Sequence, residues 1–153
     1  MDRVKRNLLI LGCSNMKDHW HEVMPAFLRY TGAYFQVLHR VDQSAWPEIV
    51  ILSADLGYIK GSTPIQDYNQ KMRKNRAQQL LLDPGQGAIL QELTQGKFKN
   101  VLVAAGSLHR EVIKYHLAPS LAATAIFTHG RIDEQRSQFK EWLAMVSKEE
   151  GRA

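Results

Sequence analysis

Four apolar runs punctuate the chain: residues 7–12 (NLLILG), 48–53 (EIVILS), 99–105 (KNVLVAA) and 122–128 (AATAIFT). None alternates polar with apolar positions. A strand with one wet face alternates with period two, whereas a strand covered on both faces reads as a continuous apolar run. The four runs therefore predict a mostly parallel sheet enclosed by helices.

The stretches between them carry helical spacing. Residues 22–29 set Val23 with Phe27 and Met24 with Leu28, four apart. Residues 67–80 predict a polar helix. Asp83-Pro84 followed by Gln86 has the form of a helix start: an Asp cap, a proline at the first position and a glutamine where a capping box needs it. That helix is expected to reach about Leu93, with Gly96 beyond its end. Ser107 is a candidate cap for a helix in which Leu108, Val112 and His116 share a face. Ile132, Phe139, Trp142, Leu143 and Val146 mark a last helix whose stripe should pack on the sheet. Residues 54–67 read as a long irregular excursion containing KGSTP. With no repeat and no linker, residues 1–147 are predicted to form one α/β domain, Rossmann-like and three-layered, with a mostly parallel sheet of four or five strands. Residues 148–153 are expected to be a flexible tail.

Composition narrows the function classes. The chain has 153 residues, 44% apolar and 23% charged. That suffices for one core, and no run approaches the length of a membrane span. One cysteine excludes an intramolecular disulfide and a cysteine-based zinc cluster. The basic, then apolar start reads as a first strand rather than a signal peptide. The expectation is a cytoplasmic protein with a reduced thiol and no membrane partner. The net charge of +5 lies mostly before residue 83, where eleven Lys/Arg meet seven Asp/Glu. Its densest part, Lys71, Arg73, Lys74 and Arg76, is a candidate nucleic-acid contact and equally a solvated helix face. Trp20 and Trp46 are candidates for a homo-oligomer interface or for burial.

Open parallel sheets bind ligands beyond the carboxyl ends of their strands. Each predicted strand end here carries small or polar residues: Gly12-Cys13-Ser14, Ser53-Ala54-Asp55, Gly106-Ser107 and Thr128-His129-Gly130. Small residues let backbone N–H groups approach a ligand, so a cleft is expected at this edge. Neither GxGxxG nor GxxxxGK[ST] occurs, which argues against common nucleotide-cofactor folds, and no cofactor is expected. Cys13 is a candidate nucleophile, because a nearby lysine or helix start lowers a thiol pKa; an inert buried cysteine is the alternative. Lys17 suits an anionic ligand. Tyr30 and Tyr34 can stack on a heterocycle. Asp55 is a candidate base or electrostatic partner, and Tyr68 a candidate donor to a leaving base. His19 and His21, two apart, do not have metal-site spacing, and no metal is expected. His109 faces the same way as Ile113 and Leu117 and is expected to be packed or partly exposed; His129 stands at a strand end and is a candidate ligand contact.

The series LILGCSNMK, RYTGAYFQVL, VILSADLGYI and PIQDYNQKM resembles a group of small bacterial and phage domains of unknown function. That group is distantly similar to the peroxide-stress protein YaaA and to the core of archaeosine synthase. Cys13, Ser14 and Lys17 match its first motif, and Tyr30, Thr31, Gly32 and Phe35 its second. Ser53, Ala54, Gly57 and Ile59 match the third, and Tyr68 the last. The chain departs at Asp55, where relatives often carry lysine, and in the order of Leu56 and Tyr58. The resemblance implies a substrate containing a nucleobase. Three readings stand: an enzyme acting on a nucleobase, nucleoside or nucleotide, with cleavage or exchange of an N-glycosidic bond as the candidate reaction; a non-catalytic nucleotide- or nucleic-acid-binding module; or a structural or assembly protein with a vestigial cleft.

Overall fold

The computed structural model describes residues 7–150, without the side chain of Glu150. Strand β1 (Asn7–Gly12) is followed by a short strand β2 (Val23–Pro25), helices α1 (Ala26–Arg29) and α2 (Ala33–His39), and strands β3 (Glu48–Ser53), β4 (Gly57–Lys60) and β5 (Pro64–Gln66). Then come α3 (Lys74–Leu82), α4 (Pro84–Leu93), β6 (Asn100–Ala104), α5 (Ser107–His116), α6 (Pro119–Ala122), β7 (Ile126–Phe127) and α7 (Ile132–Glu150). The main sheet has the order β4-β3-β1-β6-β7. β1 pairs in parallel with both β3 and β6, and β6 pairs in parallel with β7. Only β4 runs antiparallel, paired with β3 through a tight turn at Gly57, whose φ of 76° favours glycine.

The continuous apolar runs have a direct physical cause. Leu8, Ile10, Val50, Leu52, Val101 and Val103 enter one core with residues of α3, α4 and α5. Leu9, Leu11, Ile51, Leu102 and Ala104 enter the opposite core with residues of α1, α2 and α7. Successive side chains thus face opposite layers, and both layers are dry. The result is a three-layer α/β domain with a mixed, mostly parallel five-stranded sheet. None of its described helices is long and apolar enough to cross a membrane.

Several local expectations change. The spacing in 22–29 yields no single helix, because Pro25 disfavours helix at Met24 and becomes the cap of α1. Val23 and Met24 instead pair with Gln66 and Ile65 in a separate ribbon of β2 and β5. The polar helix begins at Lys74 rather than 67. The run 122–128 contributes only Ile126–Phe127 to the sheet, since Pro119 starts a helical turn that buries Leu121 instead. The excursion 54–67 holds β4 and β5. Asp83 caps α4 as expected, accepting from the Gly85 N–H at 2.9 Å. Gly106, not Ser107, occupies the cap of α5. The last helix extends to Glu150, into the expected tail, and residues 1–6 and 151–153 lie outside the described residues. Trp46 is half-buried and donates its indole N–H to the carbonyls of Leu38 and Val41, while Trp20 is 93% exposed.

Two polar side chains fasten loops to this frame. His116 is buried between Tyr58 and Leu81: its Nε2–H donates to the Leu81 carbonyl at 3.0 Å, and its Nδ1 accepts from the Tyr58 hydroxyl at 2.9 Å. Arg29 is fully buried and donates to the carbonyls of Asp18 (2.6 Å), Glu22 (3.0 Å) and Ile65 (3.1 Å). One guanidinium therefore holds both ends of the 18–22 loop and the β5 strand. Arg29→Met removes three hydrogen bonds from a charged donor to carbonyls, each worth about 1.5–3 kcal/mol. Urea unfolding should show a loss of at least about 3 kcal/mol; a loss below about 1 kcal/mol contradicts the staple.

Candidate functional site

Strand order and helix placement create a topological switch point between β1 and β6. β1 leads to α1 and α2 on one face of the sheet, and its neighbour β6 leads to α5 on the other. Where adjacent parallel strands send their connections to opposite faces, the carboxyl ends separate, and ligands bind there. Cys13 follows β1, and His109 lies in the first turn of α5. The Cys13 Sγ and His109 Nε2 atoms are 3.2 Å apart.

The backbone at Gly12 makes that contact feasible. A Cβ on Gly12 would lie 2.8 Å from the His109 ring, so the imidazole rests on a surface that only glycine leaves free. The thiol is half-buried and accepts a hydrogen bond from the Ala54 N–H at 3.3 Å. Burial pushes the Cys13 thiol above its ordinary value, opposed by the Ala54 N–H, the Tyr68 hydroxyl and the Lys17 charge. Burial also pushes His109 down to about 4. The resting pair is a neutral thiol beside a neutral imidazole.

A hydroxyl triangle borders the thiol. The Tyr30 and Tyr68 hydroxyls are 2.6 Å apart, and each lies 3.2 Å from the Ser53 Oγ. Ser53 is fully buried and also accepts the N–H groups of Asp55 and Leu56, which shapes the turn after β3. Burial raises both phenols, first among several causes, so they remain neutral O–H donors. The Lys17 Nζ lies 4.5 Å from the centre of the Tyr68 ring. Beyond His109, the Tyr34 hydroxyl donates to Gln135 Oε1 at 2.6 Å, and Thr128 Oγ1 donates to the same oxygen at 2.9 Å.

The other sequence candidates take varied places. Ser14 shapes a turn, accepting from the Gly32 N–H and donating to the Met16 carbonyl. Gly106 and Ser107 are exposed at the start of α5, two to three residues before His109. Asp55 is exposed, and its carboxylate has no partner among the described residues. His129 is exposed at the far edge, with its backbone N–H and carbonyl both bound by the Gln138 amide. Arg76 is half-buried and donates to the carbonyls of Ala54 (2.6 Å) and Asp55 (3.1 Å), which brings the start of α3 to the rim. Lys71, Arg73 and Lys74 are exposed beside it. His19 pairs with Asp67 at 2.6 Å and His21 with Asp18 at 3.3 Å. Among the described residues, no group of three or more His, Cys, Asp or Glu side chains is placed to hold a metal ion.

His109 is the residue whose contact with Cys13 the sequence did not reveal. The helical spacing of His109 with Ile113 and Leu117 suggested packing, and nothing local reveals that the ring crosses to β1. The signal available was Gly12 at a strand end, a place where a neighbouring ring can lie on bare backbone. Comparisons of the chain with protein-family models, with curated proteins and with solved structures found no match.

The low pKa of His109 carries a stability consequence. The unfolded imidazole titrates near 6.5 and the folded one near 4, so the neutral form is favoured by folding. This contribution is complete above pH 6.5 and is lost as the pH falls toward 4, amounting to roughly 3 kcal/mol. His116, also lowered by burial, acts in the same direction. Urea midpoints should therefore fall steadily from pH 7 to pH 4.5, and His109→Gln should flatten the slope. An unchanged slope in that variant contradicts the buried neutral imidazole.

Proposed function

We propose that this chain is an enzyme acting on a nucleoside or nucleotide, with Cys13 as nucleophile and His109 as general base, cleaving or exchanging the bond between base and ribose. The 3.2 Å contact between Sγ and Nε2 at the switch point of the sheet carries this reading. A nucleophile within hydrogen-bond reach of an imidazole is the arrangement that activates a thiol on demand. The neutral resting state fits it, because the thiolate forms only as the electrophile arrives.

The step balances on these residues. Sγ bonds to the anomeric carbon as the carbon–nitrogen bond breaks, and the thiol proton passes through His109 Nε2 to the departing base. Water, or a second base, then attacks the same carbon; its proton leaves through His109 and the thiol is restored. The Ala54 N–H favours negative charge on sulfur. Tyr68, kept neutral, is a donor to the leaving base, and Tyr30 orients Tyr68 through the hydroxyl triangle. Asp55, on the rim, is suited to stabilise positive charge on the sugar.

The test is product analysis on ribo- and deoxyribonucleosides and their monophosphates. Cys13→Ala should reduce turnover to background, and His109→Gln should lower kcat by about 10²–10⁴-fold. Asp55→Asn should lower it at least about tenfold. Mass spectrometry of a slow substrate should find the sugar on Cys13. Turnover that survives in Cys13→Ala removes the thiol mechanism.

A second reading rests on Lys71, Arg73 and Lys74, which are exposed, have no acidic partner among the described residues and adjoin the rim through Arg76. In a nucleic-acid-binding module these cations would contact phosphates. Affinity for single-stranded DNA or RNA should then fall steeply with salt, and replacing all three by glutamine should flatten that dependence. Binding that is equal at 50 and about 200 mM salt excludes a phosphate footprint.

A further inference from the structure

Arg110 follows His109 in the first turn of α5, and its side chain reaches the end of β7. There its Nη1 donates to the Thr128 carbonyl at 2.7 Å. Its Nε and Nη2 groups have no partner among the described residues, and no carboxylate pairs with it. The residue is half-buried, so this cation is neither neutralised nor freely hydrated. The Tyr34 hydroxyl lies close enough to feel its charge. Tyr34 and Thr128 are both oriented by Gln135, whose amide N–H donates to the Gly130 carbonyl at 2.8 Å. A carbonyl thus anchors one edge of the guanidinium and leaves the remaining N–H groups open, the form in which arginine binds a phosphate through two parallel hydrogen bonds.

We propose that Arg110 is the phosphate-binding residue of the cleft and that the substrate is a nucleoside phosphate monoester rather than a free nucleoside or base. This rests on the nucleoside reading given above. The strand order supplies the dimension. The ends of β3, β1, β6 and β7 are consecutive in the sheet, so Ser53 and Thr128 are separated by three interstrand spacings, about 14 Å. That length suits an extended nucleotide and exceeds a lone base. The base would lie at the Tyr30–Ser53–Tyr68 triangle, the sugar over Cys13 and His109, and the phosphate at Arg110. Lys17, also half-buried, stands at the base end over Tyr68 and has no acidic partner among the described residues; Arg76, at that end too, is bound to the carbonyls of Ala54 and Asp55. Asp55 is at that same end, remote in strand order from Arg110, so it does not cancel the positive charge where the phosphate would sit.

Calorimetric titration of the full chain with the four common ribonucleosides, their 5′-monophosphates and inorganic phosphate tests this. For a base that binds, the monophosphate should bind at least tenfold more tightly than its nucleoside. Arg110→Gln should remove that advantage while nucleoside affinity stays within twofold. Arg110→Lys, which keeps the charge but not the fork, should retain part of it and serves alone if the glutamine variant melts early. Equal binding of nucleoside and monophosphate by the parent protein overturns the assignment of Arg110 and leaves the nucleoside reading standing. A preference that persists in Arg110→Gln does the same. Binding of inorganic phosphate that depends on Arg110, with no nucleoside recognised, upholds the anion subsite and overturns the nucleoside reading. If neither phosphate nor any nucleotide binds, both fall.

Discussion

Strand β1 is hydrogen-bonded along both edges to parallel neighbours, and this constraint organises the rest of the molecule. Its backbone groups are satisfied on both sides, while Leu8, Leu9, Ile10 and Leu11 are all buried. Parallel pairing requires crossovers, and the crossovers to β3 and β6 lie on different faces. The carboxyl end of β1 therefore lies at the switch point of the sheet. The residue just past that end is Cys13, half-buried and in contact with His109 of α5.

The site depends on a second set of contacts that the sheet alone does not supply. Arg29 ties the 18–22 loop to β5, and Asp67, just beyond β5, accepts from His19 and from the Tyr68 N–H. Those bonds position Tyr68, whose hydroxyl meets Tyr30 and Ser53. A buried guanidinium is costly to desolvate, and here Nη1 and Nη2 donate to the carbonyls of Asp18, Glu22 and Ile65, while Nε has no partner among the described residues. The nearby carboxylates of Asp18 and Asp67 offset its charge, and their own pKa values lie below the ordinary range, chiefly through local hydrogen bonds. The small ribbon of β2 and β5 is thus held by polar contacts, whereas the main sheet is held by apolar burial.

Within the site, distance from water separates two kinds of chemistry. Cys13, His109, Tyr30 and Tyr68 are desolvated and held in their neutral forms, which suits proton transfer between them. Lys17 and Arg110 are half-buried cations on either flank, while Asp55 and the 71–74 cluster remain in solvent. Fold alone assigns no reaction to such a sheet; the thiol–imidazole contact and its cationic flanks are what give this one a direction.

The three long strands, the cap at Asp83 and the stripe of α7 were legible in the sequence, because each depends on neighbours within a few residues. So was the gathering of Gly12, Cys13, Ser53 and Gly106 at one edge, since a parallel sheet places every strand's end on the same side. The helix expected over 22–29 failed because Pro25 and a partner strand forty residues away outweighed local spacing. Tertiary structure alone decided that His109 meets Cys13, that Arg76 holds the β3 turn and that Arg110 reaches Thr128. These contacts join residues 18 to 96 positions apart. Hydrophobic periodicity encodes which face of an element is buried, but the partner a polar side chain finds depends on where two elements cross, and no local pattern carries that information.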